Sequence, residues 1–344
     1  MSYKEIMDEI INNLTGDKQK DLTYLEQQCE KYKDSEYGLE IVRACGREIA
    51  NLLEDDEMDE IINVFKNREL DFHSVLEEVR YNQYKKNYDK ALELIEQVVQ
   101  KVETLYNDGL YKEDKVSKFF CFDEVMEEIL YKFHKKPKKE VRGCDIPFAK
   151  IYMQYGSLLI DKERWEEAQE ILLKALEWNP SSAHIIFELC ETYKHFGQLE
   201  KYYETIIDAF KYCFTETDLA RCYRYLSWYF VEKELYDEAI CVYILSFQYE
   251  KNQSVQSELF YISQSTGKDI VKPEIDDIKK LAEKYNFPVG ADEDLLGLVM
   301  YLGKESLKEE VILAAKYYFG ILYRLTEDDD VKEILERLEK GILD

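Results

Sequence analysis

The chain has 344 residues, 46% hydrophobic and 34% charged, which is too much apolar material for a globally disordered protein. Only 13 Gly and 5 Pro are present, too few turn residues for a sheet-rich chain of this length, so the composition reads as helical. The net charge of −26 repels phosphate backbones and anionic lipid headgroups, which argues against general nucleic-acid or membrane binding and favours solubility, or a basic partner.

The N-terminus, MSYKEIMDEIINNL, is amphipathic and acidic, unlike the basic start and continuous apolar run of a secretory leader. No uninterrupted apolar stretch approaches a membrane span. Eight cysteines are scattered through apolar patterns without CxxC or zinc-site spacing, which predicts reduced, mostly core thiols. The expected location is the cytoplasm. Residues 1–37 read as an amphipathic helical cap. In 38–105, Val42, Cys45, Gly46, Ile49, Met58, Ile62 and Phe65 suggest a helix pair, and NYDKALELIEQV repeats its second half with Tyr88, Ala91, Ile95 and Val98. Met58 to Ala91 is 33 residues.

Residues 106–148 break this rhythm, as a degenerate repeat or an insertion. FFCFDEVMEEILYKF reads as one helix, followed by the basic run Lys135, Lys136, Lys138, Lys139 and Arg142. No aromatic residue is interleaved in that run, so a solvated loop is expected rather than a nucleic-acid patch.

The clearest unit is YMQYGSLLIDKERWEEAQEILLKALEWNP, residues 152–180. Tyr152, Tyr155, Gly156, Leu159, Trp165, Ala168, Leu172, Ala175 and Pro180 give large–large–small in a first helix, Ala at the crossing with a second, and a closing Pro. Ile186, Leu189, Cys190, Tyr193, Gly197, Tyr202, Ile206 and Ala209 repeat the frame 34 residues on. Tyr202 is large for the crossing place, so this copy is expected to pack more openly. Tyr223, Leu226, Ser227, Phe230, Tyr236, Ala239, Tyr243 and Ser246 form a third copy, 37 residues further. This series resembles the tetratricopeptide repeat (TPR) across 149–253 and, more weakly, across 38–105. The resemblance implies an all-α fold, a right-handed α-α superhelix or TPR-like solenoid, with divergent helical caps at both ends.

Residues 254–344 read as one divergent repeat and a terminal helix, with a helix start at Lys272-Pro273 and helices over Leu295–Leu302, Val311–Leu325 and Val331–Leu343. STGKDI lacks the first Gly of a phosphate loop and has Asp269 after Lys268, so Gly267 reads as a helix end. Four histidines show no HExxH spacing, GxSxG and GxGxxG are missing, and 72 acidic residues single out no carboxylate pair. The expectation is a protein that is not an enzyme and takes no cofactor or metal.

In the repeat family the first helix of each unit lines a concave groove. Carried onto this sequence, the groove positions include Met153, Phe187, Glu191, Lys194, Arg221, Arg224 and Trp228. Phe187 and Trp228 would offer apolar anchors, and Arg221 with Arg224 would grip a carboxylate. The alternative is that both arginines pair with neighbouring acids and Trp228 packs between repeats. Family members that bind chaperone tails use a set of Lys and Asn replaced here by Met153, Ser157 and Glu188, so that role is not expected. The leading expectation is a scaffold or adaptor that binds a protein or peptide. Alternatively, a peptide would regulate the chain through superhelix curvature, and the chain would act through a partner.

Overall fold

A computed structural model describes residues 2–53 and 72–341. In chain order it begins with α1 (Tyr3–Asn12), α2 (Lys18–Tyr32), α3 (Gly38–Leu52), α4 (Phe72–Tyr84) and α5 (Tyr88–Asn107). Then come β1 (Ser117–Phe120), α6 (Val125–Lys135) and β2 (Glu140–Gly143). The rest is helical: α7 (Phe148–Asp161), α8 (Trp165–Trp178), α9 (Ala183–His195), α10 (Leu199–Ala209) and α11 (Glu216–Glu232). It continues through α12 (Tyr236–Ser246), α13 (Gln253–Thr266), α14 (Ile275–Tyr285), α15 (Glu293–Lys308), α16 (Ile312–Thr326) and α17 (Asp329–Glu339). Met58, Ile62 and Phe65 lie outside the described residues. The chain forms two compact units, 1–121 with 136–154, and 122–135 with 155–344.

One backbone turn recurs five times among the described residues. Lys86, Glu163, Gly197, Glu234 and Glu310 all sit at φ between 58° and 64°. Each is followed by an amide that donates back five residues along the chain: Asn87 to the Asn82 carbonyl, Arg164 to Leu159, Gln198 to Tyr193, Leu235 to Phe230 and Val311 to Ser306, all 2.8–2.9 Å. This is the Schellman closure, which uses up carbonyls at the end of one helix and redirects the chain into the next. Seven residues before each turn stands a buried Val79, Gly156, Cys190, Ser227 or Gly303. Five residues after it stands a fully buried Ala91, Ala168, Tyr202, Ala239 or Ala315. The helix pairs α4/α5, α7/α8, α9/α10, α11/α12 and α15/α16 are thus one hairpin built five times. Gly156 shows why a small residue is needed, because a Cβ there would stand 2.6 Å from Leu172 Cγ. Gly303 repeats the geometry at the same spacing, 2.9 Å from Phe319 Cζ.

In the first unit, Ile6, Met7, Ile10, Leu25, Ile41, Ala44 and Cys45 bring α1, α2 and α3 around one core. Asp21 is 2% exposed and accepts from the Thr15 amide (2.8 Å), the Thr15 hydroxyl (2.9 Å) and the Gly16 amide (2.8 Å), closing the turn ahead of α2. Those donors hold its carboxyl below the ordinary 3.8. Gly46 is exposed with nothing near it, so it is not the small residue of a helix crossing, as its place in the 38–105 pattern suggested.

Residues 119–133 are not one helix. Phe119 and Phe120 belong to β1, which pairs in parallel with β2, Ser117 opposite Glu140 and Phe120 opposite Gly143. Aromatic residues favour a strand once a partner strand is available, and Phe120 is buried there while the Phe119 ring meets Tyr111 at 5.4 Å. Parallel strands need a long crossover, and α6 lies within it. The basic run is likewise not simply a loop. Lys139 pairs with Glu113 (2.6 Å), and Arg142 sits in β2, donating to Ser117 (2.9 Å) and Glu140 (2.5 Å).

In the second unit one continuous core runs from Met126 and Leu130 of α6 through the successive hairpins to Leu338 of α17. Asn179 and Pro180 stop α8, and Gly267 at φ 70° ends α13. α14 begins at Ile275, just beyond Pro273. Tyr202 does not loosen its hairpin. It is fully buried, and its hydroxyl donates to the Tyr225 carbonyl at 2.9 Å.

Candidate functional site

On α9, residues 184, 187, 188, 191 and 194 share one face, as do 221, 225 and 228 on α11, because residues three and four apart are neighbours on a helix. α9 and α11 are in contact within the second unit, so the two stripes meet. Arg221 donates to Glu188 (3.1 Å) and to the Tyr225 hydroxyl (3.0 Å), with its guanidinium 4.7 Å from the Phe187 ring centre. Burial opposes the Arg221 charge, but Tyr225 and Glu188 outweigh it and hold its pKa above the ordinary guanidinium value. Burial pushes the Tyr225 phenol up; Arg221 opposes this, while the Glu191 carboxylate adds to it. Lys194 lies 3.5 Å from Glu191 and 4.6 Å above the Trp228 ring. Trp228 in turn meets the buried Tyr202 edge-on at 4.8 Å. His184, at the far end of the α9 stripe, is exposed, with its Nε2 3.6 Å from Asp218.

These positions correct several expectations. Phe187 is fully buried, so it is core and not an exposed anchor. Arg221 and Arg224 do not converge on one ligand, since Arg221 holds Glu188 while Arg224 holds Glu250 at 2.6 Å. Opposite charges that the fold places at contact pair with each other before any ligand arrives. Glu191, Lys194 and Trp228 do come together and remain partly exposed. Met153 is partly buried on α7, within the first unit, whereas the other six positions belong to the second. Tyr225 and Glu188 were missed as site residues. The signal for Tyr225 was its place one turn after Arg221, where its ring comes within 5.3 Å of the guanidinium.

The resulting surface is a row of alternating acid, base and ring: Glu188, Arg221, Tyr225, Glu191, Lys194, Trp228. It suits recognition by stacking and exchange of ion pairs. Among the described residues no group of three or more His, Cys, Asp or Glu is placed to hold a metal, and no helix is long and apolar enough to cross a membrane.

No protein-family model matches the chain. It is 27% identical over 197 residues to Protein O-mannosyl-transferase TMTC1 of Homo sapiens, a match covering 56% of this chain. The match spans only 21% of that human protein.

Proposed function

We propose that this chain is a non-catalytic scaffold of the tetratricopeptide-repeat kind, a right-handed α-α superhelix in the cytoplasm that binds a protein or peptide. The supporting observation is the partly exposed Lys194–Trp228 stack with Glu191, carried on the first helices of two successive hairpins. A rigid helical platform holds these side chains ready, so a ligand loses its freedom without the protein losing much. An apolar or aromatic ligand side chain would lie on Trp228, and a basic one would displace Lys194 from Glu191. The net charge of −26 favours the basic ligand.

The test compares proteins captured by the wild-type chain, Trp228→Ala, Lys194→Ala and Leu173→Ala at low and high salt. Leu173 is exposed on α8 and serves as the control. A partner retained at both salts by wild type and Leu173→Ala, but lost by the other two, supports the reading. Partners unaffected by either stack variant would overturn it. The activity in the name of TMTC1 supplies a second check, because O-mannosyl transfer to a protein by this chain would refute the non-catalytic part.

A further inference from the structure

A cysteine follows directly on each strand, Cys121 on β1 and Cys144 on β2. The ladder pairs Phe120 with Gly143, and the next step places Cys121 beside Cys144, with the Cys144 amide donating to the Phe120 carbonyl at 3.1 Å. Paired residues of adjacent strands project to the same face, and parallel neighbours lie about 4.8 Å apart, inside the roughly 4.4–6.8 Å that a disulfide spans between Cα atoms. The sulfurs are already 3.1 Å apart. Cys121 Sγ is also 3.1 Å from the Ile146 carbonyl oxygen, and Cys144 Sγ is 3.1 Å from that of Phe120. Cys144 is partly exposed, while Cys121 is buried behind it. Both thiols are reduced in this structure.

We propose that Cys121 and Cys144 are a reversible redox pair, which a small-molecule disulfide such as oxidised glutathione converts to a disulfide joining β1 to β2. The exposed Cys144 reacts first. Its thiol gives its proton to solvent, the thiolate attacks one sulfur of the reagent, and the reagent's S–S bond breaks to release one thiol. Cys121 then loses its proton and attacks Cys144 Sγ, and the second reagent thiol leaves. Two protein thiols and one reagent disulfide become one protein disulfide and two reagent thiols. The neighbouring Cys121 thiol and, after it, burial disfavour the Cys144 thiolate, so the first step is slow and the second, between adjacent sulfurs, is fast. The product closes a covalent ring around residues 122–143, which include α6 and the basic run.

Two other thiol pairs are neighbours, Cys29 with Cys45 in the first unit and Cys213 with Cys222 in the second; the latter is fully buried and has no such access. In a reducing compartment, protein disulfides are mostly transient and sensing, which is the use this pair fits. The inference stands independently of the partner-binding reading.

Trypsin supplies the test. Cleavage after Lys118, Lys132, Arg142 and Lys150 releases Cys121 in peptide 119–132 and Cys144 in peptide 143–150. The full chain is treated with oxidised glutathione, alkylated under denaturing conditions, digested and analysed by mass spectrometry. The expected result is one species equal to the two peptides less two hydrogens, which dithiothreitol converts back to two alkylated peptides. In Cys144→Ser, peptide 119–132 should appear alkylated, while Cys29→Ser should leave the link intact. Glutathione that stays on Cys144 while Cys121 is alkylated would overturn the proposal. So would both peptides appearing alkylated throughout. Neither result depends on a variant folding.

Discussion

Replacing Gly156 by Ala tests whether the helices of a hairpin truly touch at the small position. The added methyl would lie 2.6 Å from Leu172 Cγ and 2.7 Å from its Cδ2, against an ordinary carbon–carbon contact of about 3.5–4.0 Å. One of the two helices must therefore move by nearly an ångström, because Leu172 is itself fully buried and has nowhere to turn. Overpacking of this kind costs about 1–3 kcal/mol, while exchanging Gly for Ala inside a helix returns about 1 kcal/mol. The expected net loss is about 0–2 kcal/mol. Leu172→Ala alone should cost about 2–5 kcal/mol, and the double variant less than the sum, because the new methyl fills part of the vacated space. Gly46→Ala is the control: that glycine lies in mid-helix with open space around it, so its replacement should stabilise by up to about 1 kcal/mol. Urea unfolding and hydrogen exchange of the α7 and α8 amides measure all four variants. If Gly156→Ala stabilises as Gly46→Ala does, the helices are not in contact at this point and the hairpin geometry is wrong.

The repeated turn makes a second prediction. Glu234 holds φ at 58°, where a side chain is strained, so Glu234→Gly should stabilise by about 0.5–1 kcal/mol, whereas Gly197→Ala at the equivalent turn should destabilise by about as much. Thermal melts of both variants check the sign. Arg221→Ala should destabilise the second unit by about 1–3 kcal/mol, since it strips both Glu188 and Tyr225 of a partly buried partner. Arg224→Ala breaks a pair of similar exposure, Arg224 at 17% and Glu250 at 35%, but strips only one acid of its partner and should cost about 0–1 kcal/mol; equal losses in urea unfolding would mean that the Tyr225 contact to Arg221 contributes nothing. Glu127 supplies a pH dependence. Its carboxylate accepts from the Asp123 amide (2.7 Å), the Glu124 amide (3.1 Å) and Asn179 (2.8 Å), yet burial dominates and raises its pKa above the ordinary 4.5. The folded chain then keeps a proton that the unfolded chain has lost, so this contribution to stability is full below about pH 4.5 and is lost as pH rises through the folded-state value. Glu127→Gln cannot ionise, so its melting temperature should gain on wild type from acid to neutral pH. A gap that moves the other way would mean that the three donors, not burial, set the charge.

Part of the site was legible in the sequence. Trp228, Lys194 and Glu191 were nominated from helix spacing and repeat position, and they form one end of the row. Spacing places a residue on a face but does not say how deep that face lies. Phe187 shares the stripe with Glu191 and is nevertheless fully buried beneath Arg221. The two arginines read as ligand grips because Glu188 and Glu250, which occupy them, are about thirty residues away in the chain.

Sequence alone determined the helical class and the hairpins between 149 and 253, because 3.6-residue periodicity, small crossing residues, Pro180 and Gly267 act within a helix or one turn beyond it. Of the five repeated turns, only that at Gly197 carries a residue that prefers the left-handed backbone. Lys86, Glu163, Glu234 and Glu310 adopt the same left-handed backbone without a residue that prefers it, held there by the packing of the two helices they join. Tertiary structure alone decided that Phe119 and Phe120 form a strand, since a strand needs a partner and β2 lies more than twenty residues on. It alone set Cys121 against Cys144. Local patterns are written in neighbouring residues; pairing register, depth of burial and the partner of each charge depend on which distant segments the folded chain brings into contact.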